Sequence, residues 1–400
     1  GGTASFTTSF ASADIDLGTL ASTGAVSVNT NGANGDATVV NSIALDLAAS
    51  TVGRNLAFTA TAGSITNSGA LVVGVTSNFT VADTQSIHLG NAGNAFTGNV
   101  TLNAAGAGAL NNVTFTDSGG VSIGTSLTFE GGNLSQTGNL VVTATTGNIT
   151  DSGTVTVGGT ATFTTSLANA DIDLGTLAST GAVSVSTNGT TGNATIVNAT
   201  GSLTFAGVTT GGDFTASASG NLFTTALIST GGGNIALSST AGSIRIGADL
   251  NSRDPTLGDA GDISIQTNRT AMTNVGISAN DWRPDFLIVF GNGTGSITIQ
   301  ANSGAVYGDI TINTNGVRPQ VPSVATIVGD MGGMGGGNLV FAGENFRMGS
   351  LEKMTSTGGI YITRVPTSPT FMTKAWLSDI TAAGFIRIRA NTIDFLVRDP

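Results

Sequence analysis

Short runs of alternating apolar and polar residues recur along the whole chain. Val26–Val28, Ile43–Leu47, Leu56–Phe58, Leu71–Val73, Val100–Leu102, Val113–Phe115, Val121–Ile123, Leu127–Phe129, Leu140–Val142 and Val155–Val157 each place apolar side chains at every second position. That period marks a strand with one buried face. Gly, Asn, Asp and Ser separate the runs, often as turn-forming Asn-Gly, Ser-Gly or Gly-Asn. Strands of three to five residues are too short to stand alone as hairpins. Stacked coil upon coil, they bury a continuous apolar column while each backbone pairs with the coils on either side.

Longer self-similarity overlies this beat. Residues 1–41 match 158–198 at 33 of 41 positions, and 55–80 resemble 139–164, as in NLAFTATAGSIT and NLVVTATTGNIT. A degraded third copy of the first block, Thr76-Ser77-Asn78-Phe79-Thr80, is followed by Ile87-His88-Leu89-Gly90, which matches Ile15-Asp16-Leu17-Gly18. Blocks beginning at Thr3, Thr76 and Thr160 are 73 and 84 residues apart. The pattern predicts an all-β fold, a parallel β-helix of about 20-residue coils with about four coils to a super-repeat.

The last third differs in composition. Every proline lies at Pro255 or later, both tryptophans are Trp282 and Trp376, and 11 of the 13 basic residues follow residue 250. Two regions are therefore expected: 1–250 as regular Gly/Thr/Asn-rich coils, and 251–400 as continued solenoid with longer insertions at 251–259, 269–293, 316–336 and 364–380. The beat continues there in Ile263-Ser264-Ile265, Ile297-Thr298-Ile299, Ile310-Thr311-Ile312, Ile360-Tyr361-Ile362 and Ile386-Arg387-Ile388. The Gly329–Gly337 run reads as a flexible loop.

Composition narrows the function. Charged residues are 9% of the chain, but 40% is hydrophobic, enough to build a core and exclude general disorder. The net charge of −11 argues against a nucleic-acid partner, since no basic stripe is present to neutralise phosphates. No apolar run is long enough for a transmembrane helix. The lack of cysteine excludes disulfides and thiolate metal sites. The repeat is already running at Gly1, and no signal peptide is recognisable.

Gly138-Asn139-Leu140 with Gly147-Asn148-Ile149, Gly233-Asn234-Ile235 with Gly242-Ser243-Ile244, and Gly337-Asn338-Leu339 resemble the Gly-Asn-Ile/Leu coils of filamentous-haemagglutinin-like proteins. These are large bacterial surface exoproteins of the two-partner secretion route, to which autotransporter passengers are similar. The resemblance implies a right-handed parallel β-helix, an extracellular or outer-cell-surface location, and adhesion or matrix building. It carries over no catalytic residue.

The candidate chemistry is sparse. Asp14-Ile15-Asp16 and Asp171-Ile172-Asp173 each place two carboxylates on one side of a strand, where they could offer oxygens to calcium. They serve equally as solvent-facing charges that discourage aggregation. Otherwise no cofactor is expected. His88, the one histidine, has no nucleophile motif beside it. A positioned acidic pair of the glycosidase kind would not be copied with the repeat, so an enzyme is not expected. Trp282, Arg283 and Phe286 fall in one insertion and Lys374 and Trp376 in another; Trp and Arg are enriched in binding hot spots, so these five are candidates for a protein–protein interface, the alternative being a small core that pins the loops to the coil.

The expectation is an extracellular structural or adhesive protein whose main partner is itself, in a fibre or surface layer. Surface glycans or a host or neighbouring cell are further partners. A shaft segment of a long monomeric adhesin and a polysaccharide-acting β-helix enzyme are the alternatives.

Overall fold

The computed structural model describes residues 2–252 other than 107, 130–133, 243, 247 and 249, and after Ser252 the backbone of strands alone. The chain forms two compact units, Gly1–Gly189 and Thr190–Pro400. Both are all-β, with no helix among the described residues and parallel strand pairing throughout. All ten runs singled out by their alternation contain strands. The pattern works because the inward residue of each pair finds the core. In Leu56–Ala60, Val100–Ala104 and Leu140–Ala144, the first, third and fifth residues are buried and the others half-exposed.

In the first unit the strands stack in two main columns. Column one runs through Ala4–Thr7, Val26–Asn29, Leu45–Leu47, Ile65–Asn67, Ile87–Leu89, Val113–Asp117, Leu140–Ala144, Ala161–Ala168 and Val183–Asn188. Column two contains Ile15–Leu20, Ala37–Asn41, Leu56–Ala60, Ser77–Val81 and Val100–Ala104, and continues to Ile172–Leu174. Register partners give the coil length directly. Ala37 pairs with Leu56, Leu45 with Ile65, Leu140 with Ala161 and Ala4 with Val26, so a regular coil takes 19 to 22 residues, as expected from the spacing. Between Ile87 and Leu140 the coils widen: Ile87 pairs with Val113 and Val113 with Leu140, spacings of 26 and 27. A third column of short strands, Leu134–Gln136, Val155–Val157 and Leu177–Ser179, begins within the second widened coil.

The sequence copies map onto coils in an unexpected way. Leu56 lies in column two, yet its counterpart Leu140 lies in column one. Ile65 and Ile149 are exchanged in the opposite sense. The super-repeat therefore spans three and a half coils, not four, and each copy lands on the opposite column from the one before. Two super-repeats restore the phase after seven coils, so Phe6 and Phe163 both lie in column one. Interchange is tolerated because both columns ask the same of a strand, an apolar side chain inward at alternate positions.

The Gly-Asn-Ile/Leu motif also has a physical basis. Many strands start with an inward apolar residue that follows an Asp, Asn, Ser or Thr. Its side-chain oxygen accepts the N–H of the corresponding residue one coil on: Asp14 from Asp36 (2.8 Å), Asp36 from Asn55 (3.0 Å), Ser64 from Ser86 (3.0 Å), Ser86 from Asn112 (3.2 Å), Asn112 from Asn139 (2.8 Å) and Asn139 from Thr160 (2.8 Å). The second unit repeats it, Asn193 accepting from Asp213 and Asp213 from Asn234 (2.8 and 2.7 Å). These corner ladders satisfy N–H groups that the turn takes out of strand pairing. Glycine precedes the asparagine because the corner abuts the coil below: a Cβ on Gly233 would fall 2.3 Å from the carbonyl carbon of Gly212.

The core is a stack of Val, Ile, Leu and Phe. In the first unit Phe58, Phe79, Phe96 and Phe115 follow one another at ring-centroid separations of 6.2, 6.1 and 5.6 Å. Fully burying each such side chain stabilises by roughly 1.5–3 kcal/mol. Buried Asn41 closes a corner with its amide: Oδ1 accepts the Ser22 N–H (2.8 Å), and Nδ2 lies within hydrogen-bond reach of the Ser22, Ile43 and Ala44 carbonyls.

In the second unit one column runs Ala194–Asn198, Phe214–Ala218, Ile235–Ser239, Ile263–Thr267 and Phe286–Asn292, and continues to Ile386–Ile388. Strands also occupy stretches expected to be insertions. Val275–Ala279 and Phe286–Asn292 lie within 269–293, Val324–Val328 within 316–336, and Met372–Leu377 within 364–380. Met331–Met334 is a strand inside the glycine run read as a loop. Glycine's lack of a side chain hides such a strand from any alternation test. Long coils do occur here, since Ile244 pairs with Val275 and Asn345 with Lys374, spacings of 31 and 29.

Candidate functional site

A cleft lies among the widened coils of the first unit. Column one is split in three successive coils, where Ser50–Val52, Leu71–Val73 and Ala95–Phe96 form a second short stack. That stack pairs from Val52 up to Phe96. Above it, the Asp117 carboxylate takes over and accepts the Phe96 N–H at 3.0 Å. A cleft of about 420 Å³ opens beside this junction, lined by Phe96, Phe115 and Asp117 together with the hydroxyls of Thr97, Ser126 and Thr146. Its size falls in the range of small-molecule sites.

Asp117 ends the strand Val113–Asp117 and is 6% exposed. Burial pushes its carboxyl above the usual carboxylate range, opposed by the N–H groups of Phe96, Gly119 and Ser118 that hydrogen-bond to it. Among the described residues, no other titratable side chain lines the cleft. A buried acid beside hydroxyls and a phenylalanine pair can accept hydrogen bonds or hold a positive group. Asp117 was legible in the sequence: Val113, Phe115 and Asp117 alternate on one face, so the acid had to point inward with the apolar pair.

The sequence-derived acids lie elsewhere. Asp14 and Asp16 are both exposed, on either side of buried Ile15. The Asp14 carboxylate belongs to the corner ladder, and Asp16 lies opposite Thr38 in register. Asp171 donates its N–H to the Asn148 side chain (2.9 Å), and Asp173 lies opposite Thr150. Among the described residues, no group of three or more His, Asp or Glu side chains is positioned to hold a metal ion. His88, aligned in sequence with Asp16 and Asp173, lies in column one while they lie in column two. Its Nδ1 lies 3.2 Å from the Thr114 hydroxyl.

Arg54 and Asp36 form a surface ion pair in which the guanidinium holds the Asp36 carboxyl below its usual range. Of the interface candidates, Trp282 and Arg283 lie outside the described residues. The structure places the backbone of Phe286 opposite Asp309, Lys374 opposite Asn345 and Thr392, and Trp376 opposite Arg347 and Asp394.

A family model described as "Repeats of unknown function (DUF5649)" matches residues 34–103 and 105–186. Each stretch is about as long as one three-and-a-half-coil super-repeat, and both lie in the first unit. No curated protein and no solved structure matches the chain.

Proposed function

We propose that this chain is an extracellular structural and adhesive protein of a bacterial surface, self-associating into a fibre or layer. The observation that carries the reading is the in-register stack of short parallel coils whose outward positions are mostly Thr, Ser and Asn. Such a scaffold commits its repeated polar residues to its own backbone. Asp14 and Asn139, which chemistry would otherwise recruit, serve the corner ladders. The resemblance of the Gly-Asn-Ile/Leu coils to filamentous-haemagglutinin-like exoproteins supports the location. Low charge and a hydroxyl-rich surface suit contact with glycans or a neighbouring cell.

The test is immunogold labelling of intact source cells together with protease shaving. Surface label lost on shaving is the expected result. A protein protected until lysis overturns the location.

A further inference from the structure

Asp117 has no counter-ion in its own unit. Residues 1–189 hold ten acidic residues and one basic residue, Arg54, and Arg54 is committed to Asp36. Three backbone N–H groups, of Phe96, Gly119 and Ser118, hydrogen-bond to the Asp117 carboxyl, yet burial outweighs them and pushes it up. A buried acid is costly unless it is paired as well as hydrogen-bonded. A ligand cation in the cleft would supply the missing charge, and the acidic surroundings favour the approach of one.

The space over the acid is open. A Cβ added at Gly119 would meet the Asp117 carboxylate alone, its Oδ2 at 3.3 Å. More acceptors lie close by. Thr97 donates its N–H to the Val73 carbonyl (3.1 Å), so Phe96, one residue earlier on the strand, directs its N–H and C=O to the other side, where the N–H meets Asp117. The carboxylate, that carbonyl and a hydroxyl oxygen together suit the three donors of a primary ammonium.

The rest of the lining suits a hydroxylated body. The hydroxyls of Thr97 and Ser118 make no hydrogen bond among the described residues. Those of Thr146 and Ser126 donate to the Ser118 and Ser122 carbonyls and keep acceptor capacity. On the apolar side, the rings of Phe96 and Phe115 stack at 5.6 Å and 22°.

We infer that this cleft binds a primary ammonium group carried on a small hydroxylated body, the chemistry of an amino sugar, with Asp117 holding the ammonium. Such a site gives the adhesive reading a specific ligand and stands independently of self-association.

The experiment is isothermal titration calorimetry of the full chain with glucosamine, glucose, N-acetylglucosamine and butylamine at fixed pH and ionic strength. Glucosamine is expected to bind in the millimolar range or tighter, and the other three at least tenfold more weakly. Glucose and N-acetylglucosamine lack the charge, and butylamine lacks the hydroxyls. Asp117→Asn should erase the advantage of glucosamine over glucose. Gly119→Ala should weaken glucosamine about tenfold by covering the carboxylate, and Gly201→Ala should bind as wild type. Far-ultraviolet circular dichroism reports whether each variant keeps the β-fold; if Asp117→Asn does not, Gly119→Ala and the wild-type ligand series still decide. The site is overturned if wild type does not bind glucosamine, if glucose or butylamine binds as tightly, or if the advantage survives Asp117→Asn. Analytical ultracentrifugation reads association separately. A chain that assembles without binding glucosamine refutes this site alone, and one that binds glucosamine without assembling refutes self-association alone.

Discussion

The backbone N–H of Asp36 donates to the Asp14 carboxylate at 2.8 Å, across one coil of the stack. Two residues that look like independent surface acids are successive rungs of one ladder, because Asp36 in turn accepts the N–H of Asn55. Such ladders run beside both main columns and explain why an Asp, Asn, Ser or Thr so often precedes the inward apolar residue. They account for much of the polar content without invoking a binding site.

Removing a shielded rung should cost stability. Ser86 is 7% exposed and accepts the Asn112 N–H. Ser86→Ala is expected to destabilise by about 1 kcal/mol, as loss of a capping hydroxyl does. Asn41→Ala should cost more, about 2–3 kcal/mol, since it orphans several buried backbone groups at once. Urea unfolding of the variants measures both. Equal stability of Asn41→Ala and wild type would sink the corner-closing role.

Glycine in the Gly-Asn-Ile motif answers to space. Gly233→Ala places a Cβ against the Gly212 backbone and is expected to destabilise by about 1–3 kcal/mol through forced displacement. Gly201→Ala is the matched control, because its Cβ would meet only the Asn198 side chain at ordinary contact distance, 3.8 Å. Thermal melts of the pair should separate clearly, and coincident melts would refute the close-approach argument.

Phe79 is fully buried between Phe58 and Phe96. Phe79→Ala should cost about 3–5 kcal/mol, and Phe79→Leu much less, because the second nearly conserves volume. Denaturant midpoints report the difference. A solenoid indifferent to Phe79→Ala would not be held by this aromatic column.

Asp117 and Asp36 give opposite pH signatures. The Asp117 carboxyl is raised in the fold by burial, so its contribution is fully present below the ordinary carboxylate range and is lost as pH rises through its raised value. The Asp36 carboxyl is lowered by Arg54, so its contribution is present above the ordinary range and is lost as pH falls through its lowered value. The stability of wild type relative to Asp117→Asn should therefore increase as pH falls from neutral to about 3. Wild type relative to Asp36→Asn should decrease. Paired melts across that range check both signs, and a flat difference for Asp117 would mean that its burial carries no electrostatic cost.

Much of the fold was legible because the core demands strict alternation and the chain supplies it, as in Val100, Leu102 and Ala104. The phase of the copies was not. The match of Leu56 to Leu140 reads as a simple repeat, and only the pairing partners reveal that three and a half coils lie between them. The widened coils between Ile87 and Leu140 were not legible either, because their extra corner residues leave no periodic trace. The strand Met331–Met334 was hidden inside glycines. At the site, the Asp14 and Asp171 pairs drew attention by repetition, whereas Asp117, unrepeated and inward-facing, was passed over among the strand residues.

The central claim is that a stack of such coils serves as a self-associating structural element, and negative-stain electron microscopy of the purified full chain tests it most directly. Long, uniform fibres or ordered sheets forming as concentration rises are the predicted result. Discrete single particles that stay monomeric at every concentration would contradict it.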